Sequence, residues 1–191
     1  MSYDVYALLV PVGHASEDAV ATIIDHDEVL EGATPLDPAK EARKRSIAAA
    51  LSQSGLGYEI IEHDFQGHAL KNGSTEEEMR RRLRHVQVDN GQVLVEVDEE
   101  HAHVQVPFSS KLDRDEVAAT VFETLKILQR EAKLVPYDPQ LQRELDLERD
   151  ADRKAVAEAF GHGVQQAKRE GTEEPVADRP RSPWWKRLLG R

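Results

Sequence analysis

Three histidines have the residue type and spacing that a metal site requires. His101 and His103 are two residues apart in the segment HAHVQV, which alternates between polar and apolar residues. Because successive side chains of a β-strand point to opposite faces, both rings should lie on one face, with His85 on a neighbouring strand. Two imidazoles and a third ligand can hold a divalent metal ion such as zinc. One hypothesis is therefore a metal-binding protein or metal-dependent enzyme that uses His101 and His103, with His85 as the third ligand.

The same histidines also fit an ordinary place on the polar side of a sheet. Val104 and Val106 would occupy the opposite, apolar face, which leaves the histidine rings in contact with solvent. Two histidines without a third ligand at a fixed spacing define no metal site by themselves. A divalent metal is therefore the alternative, and the preferred interpretation includes no cofactor.

Other familiar catalytic signatures do not occur in the sequence. The chain has no cysteine, which excludes disulfides, thiol catalysis and cysteine-ligated zinc or iron–sulfur clusters. It also lacks a phosphate-binding glycine loop, a G-x-S-x-G elbow and an H-E-x-x-H helix. We therefore assign no catalytic residue and favour a protein that is not an enzyme. The absence of cysteine also suits the reducing cytoplasm, where we expect the protein to be located.

Charge is distributed unevenly along the chain. The 191 residues include 36 acidic and 25 basic ones, which gives a formal net charge of −11. Residues 1–178 contain all 36 acids but only 20 bases, a net charge of −16, whereas residues 179–191 contain five bases and no acid. An acidic body repels nucleic acid and anionic membranes at long range and attracts basic partners. We therefore expect a protein partner and no nucleic acid.

Two basic runs interrupt the acidic body, Lys40–Arg45 and Arg80–Arg84. Glutamates lie within the first run and one helical turn before the second, where they can neutralise the basic side chains. Ser74 and Glu77 have the spacing of a capping box at the start of the second helix. Because aromatic residues are not interleaved with the bases, both runs predict solvated helix surfaces rather than a nucleic-acid site.

The C-terminal segment RSPWWKRLLGR contains both tryptophans of the chain. In a helix its tryptophans and leucines would pair four residues apart, but two turns are too few to hold a helix alone in water. We therefore predict a docking peptide that becomes ordered on a surface. Its predicted partner-binding residues are Trp184, Trp185, Lys186, Arg187, Leu188 and Leu189.

Three surfaces are open to this peptide. Its own acidic domain would meet it at high effective concentration, and a groove on a partner protein could bind its apolar side chains. The anionic inner face of a membrane is the third, although two tryptophans and a few bases would give only weak attachment.

The hydrophobic pattern predicts an α+β fold. Residues 3–12 read as a strand buried on both faces or nearly so, and residues 84–107 as a three-stranded antiparallel meander. Asp37 and Asp113 begin helices, and a last helix runs from about Glu148 to Lys168, weakened by two glycines. Prolines in the segment VPYDPQLQRELDL predict a turn or a short edge segment. We expect an antiparallel sheet of four or five strands with helices mainly on one face.

The predicted organisation is a single α+β domain over residues 1–168, a flexible linker over 169–181 and the basic peptide over 182–191. The preferred function is a non-enzymatic interaction module, such as an adaptor, a regulator or an immunity-type inhibitor. Its acidic body and its C-terminal peptide would contact one partner together, so that two weak contacts give a tight complex. A homodimer that covers the second face of the sheet remains open.

The stretch ETLKILQREAKLVPYDPQL resembles a pattern in uncharacterised small bacterial proteins, in which a helix that ends in an ILQRE-like run leads into a YDPQ turn. The opening SYDVY and the helix start DPAKEARK share in the resemblance. The resemblance implies a small bacterial α+β protein and assigns no role to any residue.

Overall fold

The computed structural model describes residues 2–10, 17–18, 37–82, 84–109 and 111–172. The strands are β1 (Ser2–Leu8), β2 (Glu59–Ile61), β3 (Val86–Asp89), β4 (Leu94–Val97), β5 (His101–Pro107), β6 (Val135–Asp138) and β7 (Arg143–Glu144). The helices are α1 (Pro38–Ser52), α2 (Phe65–Asn72), α3 (Glu76–Arg82), α4 (Arg114–Ala132) and α5 (Asp150–Glu170). None of these helices is long and apolar enough to cross a lipid bilayer.

All seven strands form one antiparallel sheet in the order β2-β3-β4-β5-β1-β6-β7. The α+β class and the meander are confirmed, but the sheet has more strands than the four or five predicted. The two additional strands, β6 and β7, come from the proline-containing segment that was predicted to be a turn or edge. Pro136 fits within β6 because its carbonyl oxygen accepts a hydrogen bond from the Leu145 amide at 3.0 Å. Proline has no N–H, so only the donor is absent from the hydrogen bonds between the strands.

Helices α1, α4 and α5 cover one side of the sheet, which we call the helix face. This arrangement confirms the prediction of helices mainly on one face. Side chains that alternate along the strands supply the sheet's part of the core, while α4 contributes an apolar stripe with helical spacing. The fully buried strand residues on the helix face include Val5, Val88, Val95, Val104 and Val106.

Side-chain caps fix where the helices begin. The Asp37 carboxylate accepts a hydrogen bond from the Ala39 amide at 2.9 Å, and Asp113 caps α4 in the same way, as predicted. The capping box of α3 uses Thr75 and Glu78 instead of the predicted Ser74 and Glu77. The helix begins at Glu76, one residue later than the sequence pattern suggested, so each partner of the box moves by one.

Polar side chains within the core join elements that are distant in sequence. Tyr3 of β1 donates to the buried carboxylate of Asp138 at the end of β6, and burial raises the pKa of Asp138 above its usual value. Arg143 of β7 binds Asp152 of α5 at 2.9 Å. The first contact fastens β6 to β1 and the second fastens β7 to α5, because a buried polar group that loses its partner is costly.

Helix α5 is continuous through the two glycines that were predicted to weaken it, and it extends to Glu170. The glycines differ in their surroundings. A Cβ atom at Gly163 would overlap the Phe108 ring, whereas a Cβ atom at Gly161 would meet nothing closer than 3.6 Å. Gly163 therefore allows the Phe108 ring to pack directly on the helix backbone.

We expect Gly163→Ala to lower the free energy of unfolding by about 1–3 kcal/mol, because the new methyl group overlaps the Phe108 ring. The matched change Gly161→Ala should raise it by up to about 1 kcal/mol, through the higher helix propensity of alanine. Urea denaturation followed by circular dichroism measures both values. Equal effects of the two substitutions would show that the ring does not require a glycine.

Candidate functional site

The two histidines of β5 point away from the helices, as predicted. Ala102 and Val104, which alternate with them, are completely buried in the core. We call the side of the sheet that carries His101 and His103 the polar face. His85 precedes β3 and is not on a strand next to β5, because β4 lies between the two. Glu96 of β4 is therefore placed between His85 and His103.

Strand register aligns a row of polar side chains across the middle of the polar face. Gln87 of β3 pairs with Glu96 of β4, and Glu96 pairs with His103 of β5. His103 in turn pairs with Tyr6 of β1. Residues directly opposite each other on antiparallel strands have neighbouring side chains on the same face. The row therefore crosses four strands without interruption.

His103 lies between two carboxylates. Its Nε2 is 3.0 Å from Oδ1 of Asp4, and its Nδ1 is 3.0 Å from Nε2 of Gln105 and 3.8 Å from Oε2 of Glu96. The Tyr6 ring stacks on the imidazole with 4.5 Å between centroids and an interplanar angle of 3°. The ring is thus held by charge at its edges and by an aromatic surface on one side.

The carboxylates determine the charge of this histidine. Burial alone would lower the pKa of His103, but its bonds to Asp4 and Glu96 outweigh burial and raise the pKa to about 9. His103 is therefore an imidazolium ion at neutral pH. Burial would raise the pKa of Glu96, yet the bond from His103, the nearby His85 ring and the bond from Gln87 hold the pKa below its ordinary value. The result is a half-buried group of two negative charges and one positive charge.

Contacts of Gln87 determine which ring nitrogen of His85 carries the hydrogen in the neutral ring. The Gln87 side-chain amide donates from Nε2 to Oε1 of Glu96 at 2.8 Å and lies 3.1 Å from Nε2 of His85. Since that amide nitrogen is a donor, Nε2 of His85 must accept, and neutral His85 carries its hydrogen on Nδ1. His63 completes the row, with its ring 5.4 Å from the ring of His85. Burial and the neighbouring His85 lower the pKa of His63.

We call this connected set the polar network, and it comprises His63, His85, Gln87, Glu96, His103 and Asp4. Its geometry does not resemble a nucleophilic triad, in which a serine hydroxyl bonds to the histidine. Here Ser2 donates its hydroxyl to Oδ1 of Asp4 at 3.0 Å instead. Nε2 of His103 is bonded to Asp4, and Nε2 of Gln105 lies 3.0 Å from its Nδ1. The network is suited to holding strands and charges in place.

The described residues contain no group of three or more His, Asp or Glu side chains arranged to hold a metal ion. Nε2 and Nδ1 of His103 each lie 3.0 Å from a neighbouring side chain, Asp4 and Gln105, and β4 separates His85 from His103. The metal site of His85, His101 and His103 therefore stays a prediction. The partner-binding residues Trp184 to Leu189 lie outside the described residues, so their role also remains a prediction.

Four members of the site were not identified from the sequence: Asp4, Tyr6, Gln87 and Glu96. For β1 a signal was present, because Ser2, Asp4 and Tyr6 alternate with residues of the core. The expectation of a strand buried on both faces was wrong for this part, since the Asp4 side chain is 25% exposed. For Gln87 and Glu96 the local sequence pattern shows on which face of the sheet each side chain lies. It does not show their neighbours on the adjacent strands, because these depend on strand register.

The two basic runs are not the fully solvated surfaces that were predicted. Lys44 is completely buried, and its ammonium group binds Glu41 at 2.6 Å and donates to the carbonyl oxygen of Arg84. Lys44 shares the inward stripe of α1 with Ile47 and Leu51, because these positions are three and four residues apart. The two runs therefore meet in space, although 35 residues separate Arg45 from Arg80 in the sequence.

Comparison of the chain with protein-family models, with curated proteins and with solved structures found no match. The structure establishes the α+β fold class. The resemblance to small bacterial proteins otherwise stays a prediction.

We expect the pKa of His103, measured from its imidazole proton shifts by NMR, to be about 9 in the native protein. Asp4→Asn removes the nearer carboxylate charge and should lower this pKa towards the value of an exposed histidine. Glu59→Gln removes a charge from the same face without touching the ring and is the control. A His103 pKa close to the ordinary histidine value in the native protein would contradict the pairing.

The same contact should make stability depend on pH. The folded pKa of about 9 exceeds the ordinary value of 6.5, so the stabilisation is fully present below pH 6.5. It is lost as the pH rises through 9, because the folded state then loses its bound proton. Over this interval the free energy of unfolding should fall more for the native protein than for His103→Gln.

Proposed function

We propose that the chain is a non-enzymatic, cytoplasmic protein-interaction module, such as an adaptor, a regulator or an immunity-type inhibitor. In this proposal the polar face of the sheet binds a basic surface of a partner protein. The C-terminal peptide around Trp184 and Trp185 supplies a second contact on the same partner. Two linked contacts raise the affinity because the second forms within an already associated complex.

The supporting observation is that acidic residues outnumber basic ones on the described strands, whereas they do not on the described helices. The five helices contain 12 acidic and 15 basic residues. Many of their charges are paired within one helix, as in Arg80 with Glu76 and Arg153 with Asp150, each at 2.7 Å. The strands contain six acidic residues and one basic residue. The helix layer is therefore close to neutral or slightly positive.

Register places five of the six strand carboxylates on the polar face. They are Asp4, Glu59, Asp89, Glu96 and Glu144. The one basic residue on the described strands, Arg143, is opposite Asp138 and binds Asp152 on the other face. The polar face thus combines several carboxylates without lysine or arginine on its strands, and a surface of this kind accelerates association with a basic partner.

The carboxylates of this face also select the chemistry of the partner. Lysine and arginine are both cations and hydrogen-bond donors, so they suit such a surface. A second copy of the same face would instead oppose like charges.

The polar-face contact can be tested with a triple variant that changes charge but little shape. Glu59→Gln, Asp89→Asn and Glu144→Gln remove three carboxylates. Asp89 accepts a hydrogen bond from the Gly91 amide at 2.7 Å, and the side-chain oxygen of an asparagine can still accept it. The control changes three helix carboxylates, Glu123→Gln, Glu131→Gln and Glu158→Gln.

We expect the polar-face variant to bind a cross-linked and purified partner about tenfold more weakly or worse, and the control to bind as the native chain does. Affinity of the native chain should fall as salt is raised, because ions screen surface charges. Equal affinities of the two triple variants would remove the polar face from the proposed mechanism.

The C-terminal contact has its own test. A chain that ends at Thr172 should bind the same partner at least about tenfold more weakly, since it keeps only one of the two contacts. Full-length Trp184→Ala, Trp185→Ala separates the aromatic contribution from the charge of the peptide. Identical partners and affinities for the truncated and full chains would exclude the peptide from binding.

A further inference from the structure

The end of edge strand β2 adjoins a pocket of about 200 Å³. Helix α1 forms one side, and the start of α2, Arg80 of α3 and the residues leading into β3 form the other. This volume is below the usual range of roughly 300–1,000 Å³ for sites of drug-sized ligands, so only a compact molecule would fit. Apart from Glu41 and Glu62, the side chains that line the pocket are cationic, imidazole or apolar.

The charge of the pocket is opposite to that of the whole protein. Arg45, Arg80 and Arg84 line it, against two carboxylates, Glu41 and Glu62. The Glu41 charge is cancelled by the buried ammonium of Lys44 at 2.6 Å, and the Arg80 charge by Glu76 at 2.7 Å, so the excess consists of Arg45 and Arg84 against Glu62. In a chain with a net charge of −11, such a local excess of guanidinium groups favours an anion.

The walls of the pocket are held in place. Lys44 donates to the Arg84 carbonyl oxygen and so fixes the backbone that enters β3. The Arg80 guanidinium lies 4.4 Å above the centre of the Phe65 ring and binds Glu76 at 2.7 Å. A cation held over an aromatic ring beside a salt bridge loses little freedom when a ligand arrives.

The polar network orients the ring of His85, which lines the pocket. Its Nε2 lies 3.1 Å from the Gln87 amide nitrogen, which is a donor. The orientation of Gln87 is fixed in turn by Glu96 at 2.8 Å, which can only accept. With Nε2 as the acceptor, Nδ1 is the nitrogen of His85 that can donate.

Apolar side chains provide a surface for the remainder of a ligand. Ile60, Ile61, Phe65 and Val86 also line the pocket, and Ile60 is 40% exposed at the sheet edge. Cationic groups next to an aromatic and aliphatic surface suit a molecule with one charged end and one flat or apolar end.

We propose that this pocket binds a compact organic oxyanion, a phosphate or a carboxylate joined to a flat or apolar group. Arg45 and Arg84 bind the charged end, and His85 donates from Nδ1. The apolar end packs against Phe65 and Ile60. The site uses none of the carboxylates of the polar-face test, so it goes beyond the proposed function and can fail or succeed separately from it.

The probes are phenyl phosphate, benzoate and inorganic phosphate, titrated into the full chain by calorimetry. We expect saturable binding of phenyl phosphate with a Kd of about 1 mM or lower, and weaker binding of inorganic phosphate, which lacks the apolar end. Arg45→Gln should weaken binding about tenfold. Arg45 is exposed on α1, so this variant is expected to fold. Arg169→Gln removes the same charge from an exposed position of α5 and is the control.

Nitrogen-15 spectra of the histidine rings provide a second measurement. Phenyl phosphate should shift the Nδ1 resonance of His85 and leave both nitrogens of His103 in place. Benzoate that binds with the same dependence on Arg45 would support the site and identify the carboxylate as its ligand class. Absence of saturable binding by phenyl phosphate and benzoate alike, or equal affinity of native protein and Arg45→Gln, would overturn the proposal.

Discussion

The pairing of β1 with β5 is the constraint on which the other features of the molecule depend. Seven residues of each strand are in register, from Ser2 opposite Pro107 to Leu8 opposite His101. This register places Val5 and Val104 in the core and brings Asp4 to His103 on the polar face. A slip of one residue would exchange the two faces and bury an ion pair against apolar helices.

Much of the local structure could be predicted from the sequence, whereas the pairing between distant segments could not. The valines of the meander alternate clearly, and Asp37 and Asp113 stand before apolar helical stripes. Nothing in the local pattern shows that β1 inserts between β5 and β6, because strand order depends on contacts across more than 90 residues. For this reason the sequence does not identify Asp4 and Glu96 as partners of His103.

The two candidate surfaces show why net charge is a poor guide to the chemistry of a single site. Five carboxylates lie on the described strands of the polar face, while Arg45, Arg80 and Arg84 line a pocket at the sheet edge. The chain from Glu96 through Gln87 to His85 joins the two regions. Burial of Lys44 was the difficult part to foresee, since a lysine in a charged run is ordinarily solvated.

The small size of the outermost strands has a consequence for solubility. Strand β2 has three residues and β7 has two, so each border of the sheet offers only a short template of backbone groups. The valine-rich strands β4 and β5 lie inside the sheet, each between two neighbouring strands. Each border therefore offers another polypeptide few backbone groups to pair with, which disfavours edge-to-edge association.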